Sequence, residues 1–582
     1  MATNAADRDG DGRPFPPGEY PLVVVGSGPG GLQVSYSLSR LGVKHAVISA
    51  DPAPGGMFRR FPFFQRLLSW TKPYAPAERG SRAYERYDWN SLLAEEPENR
   101  AVMTGLMDGT SYFPSRAEME LNLSTFAERA GVQVRYDCRW EATRREETAD
   151  GAGQFVLRTS DGEYRCRVAV FAVGVAEPYT PPTPGLDRVP HYADTRPAET
   201  YAGKRVFIVG KQNSGFELAS GLLPWARAIV LASPSPAKLS VVTRSLVGIR
   251  ARYLQPFEDH VLAGGVAVLE ASIEGIESTG ETLRVTVRPS AGGEAIAFEV
   301  DEVIAATGFI APLRDLPALG VATYGHSRLP AQTPFWESAT VPGIYFAGTI
   351  GQGAAGLKKH GLPSNSGAVH GARYNARLLA GHLAEKHFGV PHARRELAQA
   401  EVLPFLIDEI CRAPELWHQR AYLARVVSLD PAHGLADEGF VPLAHFLDSG
   451  GSDALAATIE ADAEGAVYPV IYVRRSGRTE ERALPGHPLN DFGTDEHRRA
   501  LAALLADVGV DAAVASANEA ARARPYRGPG ECASHGYWLR SSVACWRPRR
   551  VPARRGHRPF RPGRRSQRVP SPAPRSAIRA RC

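Results

Sequence analysis

Six residues near the start of the chain, Gly26-Ser27-Gly28-Pro29-Gly30-Gly31, restrict its fold more than any other feature of the sequence. They follow an apolar, β-branched run, Leu22 to Val25, and precede a helical pattern of Leu32, Tyr36, Leu38 and Leu41 that closes at Gly42. A second strand signal, His45 to Ile48, comes next. Strand, glycine turn, helix and strand within about 30 residues form a β-α-β unit, which builds a parallel sheet and sets a helix N-terminus at the end of a strand. There the first glycine permits the tight turn, the second lets a pyrophosphate approach the backbone, and the third lets helix and strand pack closely. Gly26, Gly28, Pro29, Gly30 and Gly31 are therefore candidate dinucleotide contacts. An acidic residue ordinarily ends the second strand and holds the ribose hydroxyls. That place falls to Ser49, with Asp51 two residues late. Asp51 as a substitute, a weaker bond from Ser49, and Asp51 as a solvated turn residue all fit.

The pattern recurs. After a Pro-rich linker, Pro178 to Pro184, the strand run Val206 to Val209 leads into Gly210-Lys211-Gln212-Asn213-Ser214-Gly215, a helix to about Leu223 and the strand Ala228 to Ala232. Gln212 replaces the middle glycine and limits the closest approach of a phosphate, although the helix-start amides remain. Ala172-Val173-Gly174 and Ala306-Thr307-Gly308 sit at the ends of connecting strands. The strand expected to meet the second ribose ends in Ser233-Pro234-Ser235, followed by Lys238 and Arg244, with no carboxylate. That favours NADPH and leaves NADH open, because a carboxylate there would repel a 2′-phosphate. A third element, Gly343 to Thr349, is a strand ending in Ala347-Gly348, with a helix near Gly367 to Leu383 after it. This order resembles the flavin-closing segment of two-dinucleotide-domain flavoproteins, with an ordinary parallel strand and helix as the alternative; the resemblance implies Gly348, Thr349 and Gly367 as candidates, with amides at that helix start facing the pyrimidine end of a flavin.

The fold class is thus α/β, with two Rossmann-like dinucleotide-binding domains. A first domain comprises residues 20–177 and 301–392, and residues 178–300 form the second. Residues 395–525 read as a mainly helical region with one strand-like run, Tyr468 to Val473; the apolar helices near Phe405 to Val427 and Arg499 to Leu505 read as core. Residues 52–115 read as a long excursion rich in Pro, Arg and aromatics, and strands are expected at Val132 to Tyr136, Gln154 to Thr159 and Arg165 to Ala172. From 528 to 582 arginine and proline dominate without periodicity, so disorder is expected. A natural basic tail and an out-of-frame translation of GC-rich coding sequence both fit that segment. Thirteen arginines and no carboxylate lie between Arg547 and Arg581, so without them the net charge of +6 becomes −7. The folded part gives no reason to expect nucleic acid. No stretch approaches the roughly 20 apolar residues of a membrane span, and no signal peptide precedes the first strand, so a cytoplasmic location is expected. The six cysteines form no close pair, which argues against a disulfide framework, a metal site and a redox dithiol.

With these elements in order, the chain resembles flavin-containing monooxygenases. Gly210 to Gly215, followed by Phe216-Glu217-Leu218-Ala219, looks like their nicotinamide motif. His191 falls where the histidine of their linker fingerprint would lie, but Gly185 and Asp187 stand in place of its Phe and Gly. A closer resemblance is to the FAD-dependent oxidoreductase domain-containing protein 2 group, carried by Gly28 to Gln33, Asp88-Trp89-Asn90-Ser91-Leu92-Leu93, Asn213 to Glu217, His370-Gly371-Ala372-Arg373-Tyr374 and Tyr468 to Tyr472. The likeness implies FAD in the first crevice and NAD(P)H in the second.

The leading expectation is a flavin monooxygenase acting on a small molecule with molecular oxygen. A flavoprotein reductase of a protein disulfide or small acceptor is the alternative, and a flavoprotein interaction module without turnover is a third, with 395–525 available to a protein partner. Neither a catalytic acid or base nor a metal ligand is legible. Asn213, His360 and His370 stand near the site, with an ordinary structural role as the alternative for each histidine.

Overall fold

The computed structural model describes residues 7–510 apart from 65, 148–152, 244–247, 259–264, 355, 357, 358, 360–362 and 431–433. These residues lie within one contact unit, 1–514. The expectations for residues 528–582 and for His360 and Arg244 fall outside the described residues. Strand β1 (Leu22–Val25) is buried throughout, as a central parallel strand covered on both faces must be. It runs into α1 (Pro29–Arg40), which starts with proline at its first position, where no intrahelical amide is lost. The chain returns as β2 (Ala46–Ile48), and β3 (Val168–Phe171) lies on the other side of β1.

A second unit repeats the order: β4 (Arg205–Val209), α2 (Asn213–Leu222), β5 (Ala228–Ser233) and, flanking β4, β6 (Glu302–Ala305), all parallel. Strands Val266–Ser278, Leu283–Pro289 and Ile296–Val300 extend this sheet, the last two pairing antiparallel. The chain then re-enters the first domain as β7 (Ile344–Phe346), completing a parallel sheet of order β7-β3-β1-β2. Helix α3 (Val369–Phe388) packs along α1 and ends at Gly389, in the left-handed conformation that glycine tolerates. Both β-α-β units therefore stand where the sequence places them, in the expected α/β architecture. One expected strand does not form. Val132 to Tyr136 alternates, but only Arg135 bridges Ile48, and the meander begins instead at Trp140–Glu147. The left-handed Asp137 turns the chain just after Arg135, whose guanidinium is taken up by Asp9 and Asp161.

The region after 395 departs further from expectation. The expected helices are present as α4 (Gln399–Arg412), α5 (Pro414–His418) and Asp495–Asp507. Beside them lies a six-stranded antiparallel sheet, of which only Val467–Arg475 was legible. Leu423–Asp430 continues an apolar spacing that reads as helix, and Ala454–Ala461 is alanine-rich and buried along its whole length, so it shows no alternation. No described helix is long and apolar enough to cross a membrane.

This module is riveted to the first domain by arginines that reach buried carboxylates. Arg82, in the excursion, donates to both carboxylate oxygens of Glu409 (2.6 and 2.9 Å) and to Glu415 (3.0 Å). Arg377 of α3 donates to the other oxygen of Glu415, and Arg86 donates to the Cys411 carbonyl while its guanidinium lies 3.7 Å from the Trp417 ring centre. Burial alone would raise the Glu415 carboxyl, but Arg82 and Arg377 outweigh it and bring it down to about 2. Its folded value lies below its unfolded one, so the stabilisation is complete above the ordinary 4.5 and is lost as pH falls towards about 2. Chemical denaturation across that window should show stability declining with acid. Glu415→Ala, which leaves half-exposed Arg377 without its carboxylate while Arg82 keeps Glu409, should cost about 1–3 kcal/mol at neutral pH.

Candidate functional site

Two backbone braces define two crevices. At the first, Gly26 has φ 114°, and a Cβ on it would lie 2.6 Å from the Ala172 carbonyl oxygen at the end of β3. A Cβ on Gly31 would lie 1.9 Å from the carbonyl oxygen of Gly26. At the second, Gly210 has φ 118° and meets the Ala306 oxygen at 2.3 Å, while Gly215 meets the Gly210 oxygen at 2.3 Å. Neither pair admits a side chain. Each pulls a helix start onto the end of a parallel strand, so that the free amides of the first turn and the helix dipole share one small volume.

The middle position separates the two. A Cβ on Gly28 would meet nothing of the chain nearer than the Gly56 Cα at 3.8 Å, so protein packing does not require glycine there. The missing side chain leaves room beside the helix start, which suits a pyrophosphate. Gln212 holds the equivalent place, as the extended cap of α2. The first crevice is also more enclosed. Gly30 packs on Gly348, where a Cβ would come within 2.5 Å of backbone, and Gly348 itself has φ 76°. Gly56, in the excursion, closes on Gly28; in the sequence Gly55-Gly56 serves only to place the ribose position at Ser49. Thr349 follows Gly348 in the turn Gly348–Gly353, and Gly367 is exposed just before α3.

At the end of β2, the Ser49 hydroxyl is buried and bonded to the Ser27 hydroxyl (2.8 Å), and it accepts the Asp51 amide (3.2 Å). The Asp51 carboxylate accepts only from Ser49, at 3.4 Å, and its pKa is raised by burial, against the pull of Arg59. Lys211 is buried, and burial lowers its ammonium pKa. The Asn213 side chain donates to the Gly248 carbonyl and accepts the Arg250 amide, tying α2 to the following loop. In the linker, the Ala193 amide donates to His191 Nδ1 (3.1 Å) and His191 Nε2 donates to the Gly308 carbonyl (3.0 Å), which fixes the tautomer and makes this histidine a strut. His370 is wholly buried, stacked 4.2 Å from Trp89, and its ring nitrogens have no hydrogen-bond partner and no accessible surface. His370 thus holds the structural role that the sequence left open to it, its imidazole walled off and unsuited to proton transfer with a bound molecule.

Glu217, in the second motif, was missed as a contact. One carboxylate oxygen accepts the Phe64 amide (2.6 Å) and the other the Tyr192 hydroxyl (3.0 Å). A buried glutamate inside a glycine-led helix is the signal that could have found it. Arg252 donates to the Arg66 and Leu67 carbonyls and Arg250 to that of Leu68, so this part of the excursion is fastened to the second domain.

Residues 23–348 match the family described as pyridine nucleotide-disulphide oxidoreductase. The chain is 27% identical over 438 residues to the FAD-dependent oxidoreductase domain-containing protein 2 of Mus musculus, a match covering 70% of this chain and 64% of that protein. The chain thus spans less than two thirds of that relative's length. It is 28% identical to a ferredoxin–NADP reductase of Salinispora tropica, covering 63% of this chain and 99% of that one. An indole-3-pyruvate monooxygenase of Oryza sativa subsp. japonica is 29% identical over 208 residues, 34% of this chain and 44% of that protein.

Single methyl groups separate the two crevices experimentally. Gly30→Ala should weaken flavin binding by at least about tenfold (1.4 kcal/mol), read as loss of yellow colour on gel filtration. Gly215→Ala should retain the flavin and raise the NAD(P)H KM instead.

Proposed function

The chain belongs to the pyridine nucleotide-disulphide oxidoreductase family, and from that premise we propose that it is an FAD- and NAD(P)H-dependent monooxygenase of a small molecule. The observation that carries the reading is the repetition of one brace, Gly26–Gly31 on Ala172 and Gly210–Gly215 on Ala306, which gives each dinucleotide its own helix start. FAD bound here would supply hydride acceptance from the nicotinamide and electron delivery to an acceptor. Gly28, Pro29 and Gly30 would hold its pyrophosphate, with Gly348, Thr349 and the amides before α3 at Gly367 completing its site. Asp51 takes the ribose in preference to Ser49, whose hydroxyl is already committed to Ser27 and to the Asp51 amide.

Lys211 to Gly215 receive the nicotinamide dinucleotide. NADPH is the preferred donor, since β5 ends in Ser233 with no carboxylate and Lys238 is exposed five residues on. The described cysteines favour oxygen over a dithiol relay as the acceptor. Cys138 and Cys166 are buried, burial pushes Cys166 up to about 12 and also raises Cys138 and Cys411, and none is disulfide-bonded. Thiols held protonated are poor nucleophiles and poor redox partners. A second reading, a reductase delivering electrons to an external protein or small acceptor, is favoured by the likeness to a ferredoxin–NADP reductase along 99% of that protein.

Anaerobic reduction followed by mixing with oxygen separates the two. The monooxygenase reading expects NADPH to reduce the flavin with a lower KM than NADH and reoxidation to be slow, with hydrogen peroxide well below one per NADPH once substrate is present. Stoichiometric peroxide with every small molecule tried, together with fast reduction of a protein or dye acceptor, would establish the reductase instead.

A further inference from the structure

The turn before α3 is held in part from outside its own domain, by residues just beyond α5. Asn365 and Ser366 precede Gly367, which is exposed, and Ala368, which is half-buried, while Ser366 itself is buried. The Asn365 amide donates to Gln419 Oε1 (3.1 Å), and its side-chain amide donates to the His418 carbonyl (2.8 Å). Gln419 Nε2 donates to the Ser366 hydroxyl (3.0 Å) and to Asn375 Oδ1 (2.6 Å), and Asn375 Nδ2 donates back to the same hydroxyl (2.9 Å). The Asn365 carbonyl accepts the Ala368 amide, and a Cβ on Gly371 would come within 2.3 Å of it, so the turn has no slack towards the helix. Gln419 is fully buried, with both donors and its acceptor engaged. It lies just beyond α5, more than fifty residues from the turn it holds. Lys359, earlier in the same loop, donates to buried Glu460 (2.8 Å) and to the Tyr472 hydroxyl (2.7 Å), both on the sheet of the carboxy-terminal module.

We propose that Gln419 is a positioning residue for the flavin: it fixes the Asn365–Ser366 turn, and through it the orientation of the amides from Gly367 onward that face the pyrimidine end of the ring. The proposal rests on the flavin reading of the first crevice. Charge that accumulates on the ring on reduction is stabilised only by donors already aimed at it, because reorienting them costs free energy at the moment of transfer. Removing the glutamine deletes the acceptor of the Asn365 amide and one donor to the Ser366 hydroxyl, and leaves the turn to the His418 carbonyl and Asn375, so its aim loosens even where binding of the oxidised ring survives. The module after residue 395 is then a wall of the redox centre and not an appendage.

The test compares wild type, Gln419→Met and Leu505→Ala, the last in the apolar core of the same module. Each is loaded with FAD and equilibrated with a reference dye under xanthine and xanthine oxidase, and the visible spectrum is followed. Gln419→Met is expected to lower the equilibrium constant for two-electron reduction about tenfold, close to 30 mV, and to shift the flavin bands. Leu505→Ala should lower thermal stability and leave both unchanged. A folded Gln419→Met that binds FAD more weakly while Leu505→Ala does not also supports the proposal. Should Gln419→Met fail to fold, Gln419→Glu keeps the acceptor for Asn365 and is read in the same way. An unchanged equilibrium constant and spectrum in the folded variant overturns the proposal. Wild type that stays colourless with excess FAD overturns the flavin reading and the proposal with it.

Discussion

Everything in this fold depends on a contact between two pieces of backbone. The carbonyl oxygen of Gly26 and the α-carbon of Gly31 approach so closely that not even a methyl group fits between them, and Gly210 and Gly215 repeat the arrangement. The contact sets where each helix begins relative to the strand before it, and hence where its unbonded amides collect. The strands supply the other half of each brace, since Ala172 and Ala306 press their carbonyls against the first glycine. Neither arrangement is stable by itself. The apolar strands β1 and β4, wholly buried but for the first residue of β4, supply about 1.5–3 kcal/mol per large side chain against the strain and lost entropy of such turns.

The carboxy-terminal module is joined to the first domain and its excursion by directed bonds. Its contribution is polar and buried: Glu409, Glu415, Gln419 and Glu460 all face outward from the module and all find partners in the first domain or its excursion. A purely apolar interface of similar size would hold the two together as well. Hydrogen bonds of fixed direction do something more, because they specify one alignment where oily surfaces tolerate several.

The glycine-led turns were legible in the sequence because their constraint is local: six consecutive residues encode both the turn and the helix start. Strands β1, β4 and β7 were legible for a similar reason, as short apolar runs bounded by glycine. The module's sheet was not. Ala454 to Ala461 carries no alternation, since both of its faces are covered, and Leu423 to Asp430 continues the spacing of the helices before it. Gln419 was also out of reach. It earns its place by meeting Asn365, a residue distant in the chain, and no spacing rule relates them. His370 takes the ordinary structural role that the sequence left open to it, sealed by a Trp89 ring from the excursion, whose path no periodicity reveals.

The carboxylate of Glu217 has one further consequence. It grips the Phe64 amide, and Arg250 and Arg252 hold the neighbouring carbonyls, so the stretch from Phe61 to Leu68 is hitched to the second domain although it departs from the first. A swing of that domain, of the kind hinged two-lobed proteins use to exchange ligands, would tow this aromatic strip with it. The alternative is to abandon a buried carboxylate, a penalty of roughly 1–3 kcal/mol or more. Traffic of the nicotinamide and access to the interior would then be geared together, one lever opening both.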